Sequence, residues 1–115
     1  MSATLIKNLE SAKRYNIVDL VQYSEGQVVS RTLAQGKAHT ITLFAFDAGE
    51  GLSTHTAPGD ALVQILDGEA AITIGDVELV LKAGEVTVMP ADIPHAVHAE
   101  RRFKMMLILV KKPRE

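Results

Sequence analysis

Apolar and polar residues alternate with a period of two along most of this chain, and no other feature restricts its fold so strongly. The pattern is clearest in Ala70–Ile74 and Val77–Leu81, two runs joined by Gly75 and Asp76. Gly-Asp between two alternating runs is typical of a tight β-hairpin. Glu78 falls on the face opposite to the apolar residues, so we expect one side of the hairpin to be core and the other to be wetter.

Six further runs predict strands, and turn residues such as Gln35-Gly36 and Ala83-Gly84 separate them at short intervals. Many short strands with recurrent turn signals indicate an all-β sandwich or barrel. Helix is predicted only near the N-terminus, at Leu9–Tyr15. The run Met105–Val110 is apolar on both faces, which places it in the middle of a sheet or against a partner subunit. The predicted strands are Val28–Leu33, His39–Phe46, Ala61–Leu66, Val86–Met89, Ala96–Ala99 and Lys104–Val110.

Length and composition restrict the classes of protein further. A chain of 115 residues fits one domain, residues 1–115, and residues 1–27 are expected to form an arm or edge strands. With no cysteine, disulfides and thiolate metal sites are excluded. A net charge of −2 without a basic stripe argues against nucleic acid, and no stretch is long enough to cross a membrane. A cytoplasmic location is expected, because the start of the chain lacks the apolar core of a signal peptide.

Two segments rich in glycine and proline each carry a histidine beside a β-patterned run. The first spans residues 49–68, with Gly49, His55 and Gly68 at fixed intervals. This spacing resembles the first motif of the cupin superfamily, in which Gly is followed after five residues by His, then by a second His, a Glu and a Gly. Here Ala57 takes the position of the second His, and Ala61 takes that of the Glu.

The second segment spans residues 84–99 and resembles the second cupin motif. Gly84, Pro90 and His95 match, whereas Asp92 replaces a Gly and Ala99 replaces an Asn. The resemblance implies a single-domain cupin: a jelly-roll-like β-barrel of two sheets, open at one end and commonly dimeric, with the two histidine positions facing each other inside. It also implies a divalent metal such as iron, manganese, nickel or zinc.

Only His55 and His95 remain of the usual ligand set of three His and one Glu, so any metal here would need substitute ligands. Asp60 precedes the lost Glu position, but strand alternation from Ala61 points its side chain away from the interior. We interpret His39 and His98 as surface or structural histidines.

Alanine at positions 57 and 61 leaves volume beside the two imidazoles, which favours an open pocket over a closed core. We predict that Ala57 and Ala61 contact a ligand together with Val63, Ile65 and Val97. Such aliphatic walls suit a small, partly apolar molecule with one polar end held by the histidines. The full predicted lining also includes Ile72, Ile74, Val86 and Val88.

Three functions remain open. The first is a metal-dependent small cupin with His55 and His95 as metal ligands. The second is a metal-free cupin that binds a small molecule, or that uses one histidine to take a proton and the other to give one. The third is a structural barrel that only dimerises, which a solidly packed interior beside the histidines would indicate. No catalytic residue is assigned. A homodimer is expected, since both faces of Met105–Val110 and of Leu62–Leu66 need cover.

Overall fold

The computed structural model describes residues 5–113 and has a nearly all-β fold. All strand pairs are antiparallel, and together they form one eight-stranded sheet that curls into two facing halves. The strands are β1 (Val28–Gln35), β2 (His39–Phe46), β3 (Gly51–His55), β4 (Gly59–Ile74), β5 (Val77–Lys82), β6 (Val86–Met89), β7 (His95–His98) and β8 (Phe103–Lys111).

Strand β4 belongs to both halves of the sheet and joins them. Its first part pairs with β8 and β6, and its last part pairs with β5 and β7. The corner lies at Gly68, whose φ of +74° suits glycine and few other residues. We call the half with β1, β2, β8 and β6 the first sheet, and the half with β5, β7 and β3 the second sheet. The predicted double-sheet β-barrel is confirmed.

The barrel interior is filled by alternate side chains of both sheets. Phe46 and Phe103 stack with ring centroids 4.5 Å apart, and Phe44 packs beside Phe46. Strand β8 lies between β2 and β4, as the apolar run Met105–Val110 predicted. The buried core consists of Phe46, Ala61, Val63, Ile65, Ala70, Ile72, Leu81, Met89, Val97, Ala99, Phe103 and Met105.

Residues 5–27 form an arm that packs on the outer face of the first sheet. The buried Val21 joins Leu33, Leu43 and Ala45 in a second apolar cluster there. Two side chains of the sheet hold the arm by its backbone: Arg31 donates a hydrogen bond to Leu20 O, and Lys104 donates one to Val18 O. The side chain of Lys104 is buried under the arm. Its hydrogen bond to Val18 O offsets part of the cost of removing its charge from water.

The helix predicted at Leu9–Tyr15 is wrong. The structure has turns there, and the only helical segment among residues 5–113 is a short 3₁₀ helix at Ile17–Asp19. Asn8 and Ala12 adopt left-handed φ values of 64° and 58°, which interrupt a right-handed helix. Packing of apolar arm residues onto the sheet therefore outweighs the weak local preference for helix.

The prediction that Val86 and Val88 line the interior is also wrong, because their side chains are 56% and 47% exposed on the outer face. The register explains the difference. Val88 pairs with Leu62, an outward residue of β4, whereas Thr87 pairs with the buried Val63. Since side chains alternate along a strand, Thr87 and Met89 point inward instead.

Candidate ligand site at the barrel mouth

The two motif histidines lie directly opposite each other on neighbouring strands of the second sheet. His55 is the last residue of β3 and His95 is the first residue of β7. The register between these strands shifts between Leu52 and His55, and the shift brings His55 opposite His95. On the other side of β7, His95 pairs with Ile74 at the end of β4. We call this end of the barrel the mouth.

The imidazole rings of His55 and His95 meet through their Nε2 atoms, which are 3.1 Å apart. The rings are nearly perpendicular, with an interplanar angle of 72° and centroids 4.3 Å apart. His55 Nδ1 lies 2.7 Å from Ser53 O, and His95 Nδ1 lies 3.2 Å from Ile93 O. A carbonyl oxygen can only accept a hydrogen bond, so each Nδ1 carries its hydrogen. Both Nε2 lone pairs therefore face the same small volume.

The environments of the two rings differ. His95 is only 3% exposed, whereas His55 is exposed to solvent. Burial lowers the pKa of His95 because it penalises the charged imidazolium, and the hydrogen bond to Ile93 O offsets part of this effect. A positive charge on His55 lowers the pKa of His95 further. Burial therefore favours the neutral form of His95, whose Nε2 can accept a hydrogen bond from His55.

The donor set is smaller than the usual ligand set of a divalent metal site. Among residues 5–113, no group of three or more His, Cys, Asp or Glu side chains is arranged to hold a metal ion. Asp60, the nearest substitute in sequence, is exposed, and its Oδ1 accepts a hydrogen bond from Ala91 N. Its outward direction agrees with strand alternation, and the bond ties the two motif segments together. Two imidazoles alone fall short of the three protein ligands that catalytic zinc usually has.

The remaining predicted ligand contacts lie in two environments. Ala61, Val63, Ile65 and Val97 are buried members of the barrel core. Ala57 is half-buried in the loop between β3 and β4, where its carbonyl accepts a hydrogen bond from Asp92 N. Contact of these five residues with a ligand stays a prediction. Partly buried apolar side chains also pack against the core, namely Val28, Phe44, Leu52, Ile74, Leu79, Leu107 and Leu109.

The structure separates the other histidines from this pair. His98 lies on β7 but is exposed, as expected for a residue three positions after the inward His95. His39 is exposed at the start of β2. Both placements agree with their interpretation as surface residues.

Sequence reasoning missed the carbonyl groups that fix the two rings. In both motifs the histidine contacts the carbonyl oxygen two residues earlier, Ser53 for His55 and Ile93 for His95. The repeated spacing relative to a turn-rich segment was the available signal. The spacing alone does not show that a loop carbonyl lies against the ring. The position of the carbonyl depends on backbone φ and ψ angles, which the residue types do not determine.

Comparisons with known proteins agree with this architecture. A family model described as Cupin domain matches residues 42–111. A conserved protein of unknown function from Streptococcus pyogenes is 39% identical with a TM-score of 0.95, and the match covers 99% of this chain and 100% of that one. No curated protein matches.

Two further solved structures are similar. A cupin superfamily protein from Desulfitobacterium hafniense is 37% identical with a TM-score of 0.90, and the match covers 95% of this chain and 100% of that chain. A cupin 2 conserved barrel domain protein from Leptotrichia buccalis is 47% identical with a TM-score of 0.82. That match covers 84% of this chain and 47% of the other, so the relative is a longer protein.

Proposed function

Since the chain belongs to the cupin superfamily, we propose that it binds a small organic anion at the barrel mouth through His55 and His95. The observation that carries the proposal is the 3.1 Å separation of the two Nε2 atoms while both Nδ1 atoms are held by backbone carbonyls. Two lone pairs so close repel each other unless a proton or a ligand lies between them. The pair is therefore ready to take up a hydrogen-bond donor or a positive charge.

A proton shared between the two rings would satisfy the pair when no ligand is bound. When His55 is protonated, its Nδ1–H donates to Ser53 O and its Nε2–H donates to His95 Nε2, so every polar atom of the two rings has a partner. The proton brings one positive charge to the mouth. A carboxylate is the simplest anion that this charge could attract to the mouth, where partly buried apolar side chains such as Ile74 lie beside the pair.

The same arrangement supports proton transfer. His95, kept neutral by burial, can accept a proton from a bound molecule, and the exposed His55 can exchange one with solvent. The two histidines supply a proton donor and a proton acceptor, so a bound molecule would react only if it has a proton that such groups can transfer.

Thermal unfolding in the presence of a metal chelator tests the proposal. Acetate, isobutyrate, succinate and benzoate are added in turn, and at least one is expected to raise the Tm of the unmodified chain. The increase should be larger at about pH 6 than at about pH 8, because the protonated pair attracts an anion. Nuclear magnetic resonance titration of the histidine ring protons would locate the anion.

The double variant His55→Ala with His95→Ala should lose this response. His98→Ala is the matched control, since His98 lies on the same strand as His95 but on the outer face. If no carboxylate raises the Tm, or if the double variant responds as strongly as the control, the proposal fails.

A divalent metal held by the same two rings is the second candidate, and one observation favours it. Nε2 atoms 3.1 Å apart can both reach one ion at about 2.1 Å, with an angle of about 95° at the ion. The lack of a third protein ligand among the described residues argues against it. Elemental analysis of protein purified without a histidine tag decides between the two. A content close to one metal ion per chain that is lost in the double variant would support the metal site and contradict the anion site.

A further inference from the structure

A cleft of about 550 Å³ lies on the outer surface of the barrel, where β4 passes from the first sheet to the second. It is separate from the histidine pair. Its floor includes Ala71, which pairs with the exposed His98, whereas His95 pairs with Ile74 nearer the mouth. The volume is within the range of small-molecule sites in proteins. Its polar lining is Glu69, Glu100, Arg101 and Arg102.

Small residues create the space. Gly68, Ala70 and Ala71 line the cleft on β4, and Val80 of β5 supplies an exposed apolar wall. At Gly68 an added Cβ would lie 2.3 Å from Arg102 O, so only glycine allows β4 to approach the start of β8 this closely. The close approach brings the Glu100–Arg102 loop against β4 and forms the polar side of the cleft.

The loop that carries these charges is fixed in place. Arg102 Nε donates a 2.7 Å hydrogen bond to Asp47 Oδ1, and Asp47 Oδ2 accepts another from Gly26 N. The guanidinium carbon of Arg102 also lies 5.2 Å from the centre of the Tyr23 ring. Backbone hydrogen bonds between Ala99 and residues 49–50 hold the loop from the other side. A fixed loop loses little conformational entropy when it binds a ligand.

The remaining charges of the cleft have no ion-pair partner among residues 5–113. Arg102 is neutralised by Asp47, but Arg101, Glu69 and Glu100 form no salt bridge within the described part of the chain. A simple carboxylate in the cleft would meet two unpaired carboxylates, and a simple amine would meet the unpaired guanidinium. A molecule with both a carboxylate and an ammonium group can satisfy all three.

We propose that this cleft binds a small zwitterion with an aliphatic body, of the α-amino acid class. Its carboxylate contacts Arg101, its ammonium group contacts Glu69 and Glu100, and its aliphatic part packs on Ala71 and Val80. A guanidinium suits a carboxylate because it can donate two parallel hydrogen bonds.

Three probes that share the same branched aliphatic group test the ligand class. L-Valine carries both charges, isobutylamine lacks the carboxylate, and isovalerate lacks the ammonium group. Each is titrated into the chain while backbone amide signals of Gly68, Ala71 and Arg101 are followed by nuclear magnetic resonance. Valine should saturate these signals at a concentration of about 10 mM or less, and the two singly charged probes should bind at least about tenfold more weakly.

Variants locate the site. Arg101→Gln and Glu100→Gln should each weaken valine binding at least about tenfold, and Ala71→Arg should fill the cleft and abolish it. Glu78→Gln is the matched control, since Glu78 is an exposed carboxylate on β5 that does not line the cleft. The chemical-shift dispersion of each variant shows whether it is folded.

Several results would overturn the proposal. It fails if valine shifts no signal of the cleft, if isobutylamine or isovalerate binds as tightly as valine, or if Arg101→Gln binds valine like the control. The double variant His55→Ala with His95→Ala must retain valine binding, because the cleft does not depend on the mouth. Loss of binding in that variant alone would assign the zwitterion to the mouth instead.

Discussion

The buried His95 has a lowered pKa, and this links the stability of the barrel to pH. Burial lowers its pKa, while the unfolded chain binds the same proton with a pKa of about 6.5. Below about pH 6.5 the unfolded state binds more protons than the folded state, so the free energy of unfolding falls as the pH decreases. Above about pH 6.5 this contribution to stability is fully present. Urea unfolding at about pH 7.5 and about pH 5.5 measures the difference.

Replacement of His95 by Gln should reduce this dependence on pH. His98→Gln on the exposed face of the same strand should leave it unchanged, which separates the buried ring from histidines in general. An identical change in stability with pH for the unmodified chain and His95→Gln would contradict the assignment.

Asp47 links the stability of the barrel to pH in the acid range. The hydrogen bond from Arg102 lowers its pKa to about 2, and backbone N–H groups of Gly26 and Ala48 contribute to the shift. The unfolded chain protonates this group at about 3.9. The stabilisation is therefore present above about pH 4 and is lost as the pH falls toward about 2.

Asp47→Asn should lower the Tm at neutral pH and make the acid loss less steep. Arg102→Gln should have a similar effect, and the double variant should be little worse than either single one because both remove the same contact. Asp76→Asn, in the exposed hairpin turn, serves as the control. Additive losses in the double variant would show that the two side chains act independently.

Individual residues of the site were partly predictable. The resemblance to the two cupin motifs implied that His55 and His95 face each other, and strand alternation correctly predicted that Asp60 points outward. The orientation of each ring was not predictable, since it depends on a carbonyl of an irregular loop. The charged cleft was equally hidden, because Glu69 and Arg101 are far apart in sequence and meet only through the corner at Gly68.

At the level of elements, the alternation of apolar and polar residues predicted most strands, but it did not show that two of them are continuous. The predicted strands Ala61–Leu66 and Ala70–Ile74 are parts of one strand, β4, because Asp67-Gly68 forms a corner with a bulge rather than a turn. Strand β3 was missed since its five residues are mostly exposed and polar. Among the described strands it pairs with β7 alone, so tertiary pairing rather than the local sequence pattern defines it.

A close approach between β4 and β8 gives a test at this level. An added Cβ at Gly59 would lie 2.1 Å from Val110 O and 2.6 Å from Lys111 Cα, both backbone atoms that cannot rotate away. Gly59→Ala should therefore lower the free energy of unfolding by about 2 kcal/mol or more. Urea unfolding followed by circular dichroism measures this change.

Gly36→Ala is the matched control for Gly59→Ala. The nearest atoms to its added Cβ belong to the side chain of His39, at 3.2 Å, and this exposed ring can move. Its effect should be clearly smaller. Equal losses at the two positions would mean that the β4–β8 contact adapts easily.

Over the whole molecule, the outer face of the first sheet carries many apolar side chains, but the arm covers only part of them. The arm packs on Leu33, Leu43 and neighbouring side chains. Beyond it Leu62, Val86, Val88 and Val110 remain exposed on β4, β6 and β8. We expect a second copy of the chain to cover this part in a symmetric dimer, because each copy then supplies the apolar surface that the other lacks.

Sedimentation velocity measures the assembly. The unmodified chain should sediment as a dimer, and Val88→Lys should shift it toward the monomer without loss of β-structure. Val77→Lys is the control, since Val77 is exposed to a similar extent but lies on the second sheet. A monomer at high protein concentration, or dissociation by the control substitution alone, would contradict this interface.

No helix within residues 5–113 has the length and hydropathy needed to cross a membrane.

The position of strand β4 in both sheets affects how the barrel unfolds. It pairs with β5, β6, β7 and β8, so neither sheet can separate without breaking bonds to the same strand. Amide hydrogens in the centre of β4 should therefore exchange with solvent only when the entire barrel unfolds, and their protection should equal the global free energy of unfolding. Amides of β3, held by one neighbour, should exchange through smaller local openings at the mouth.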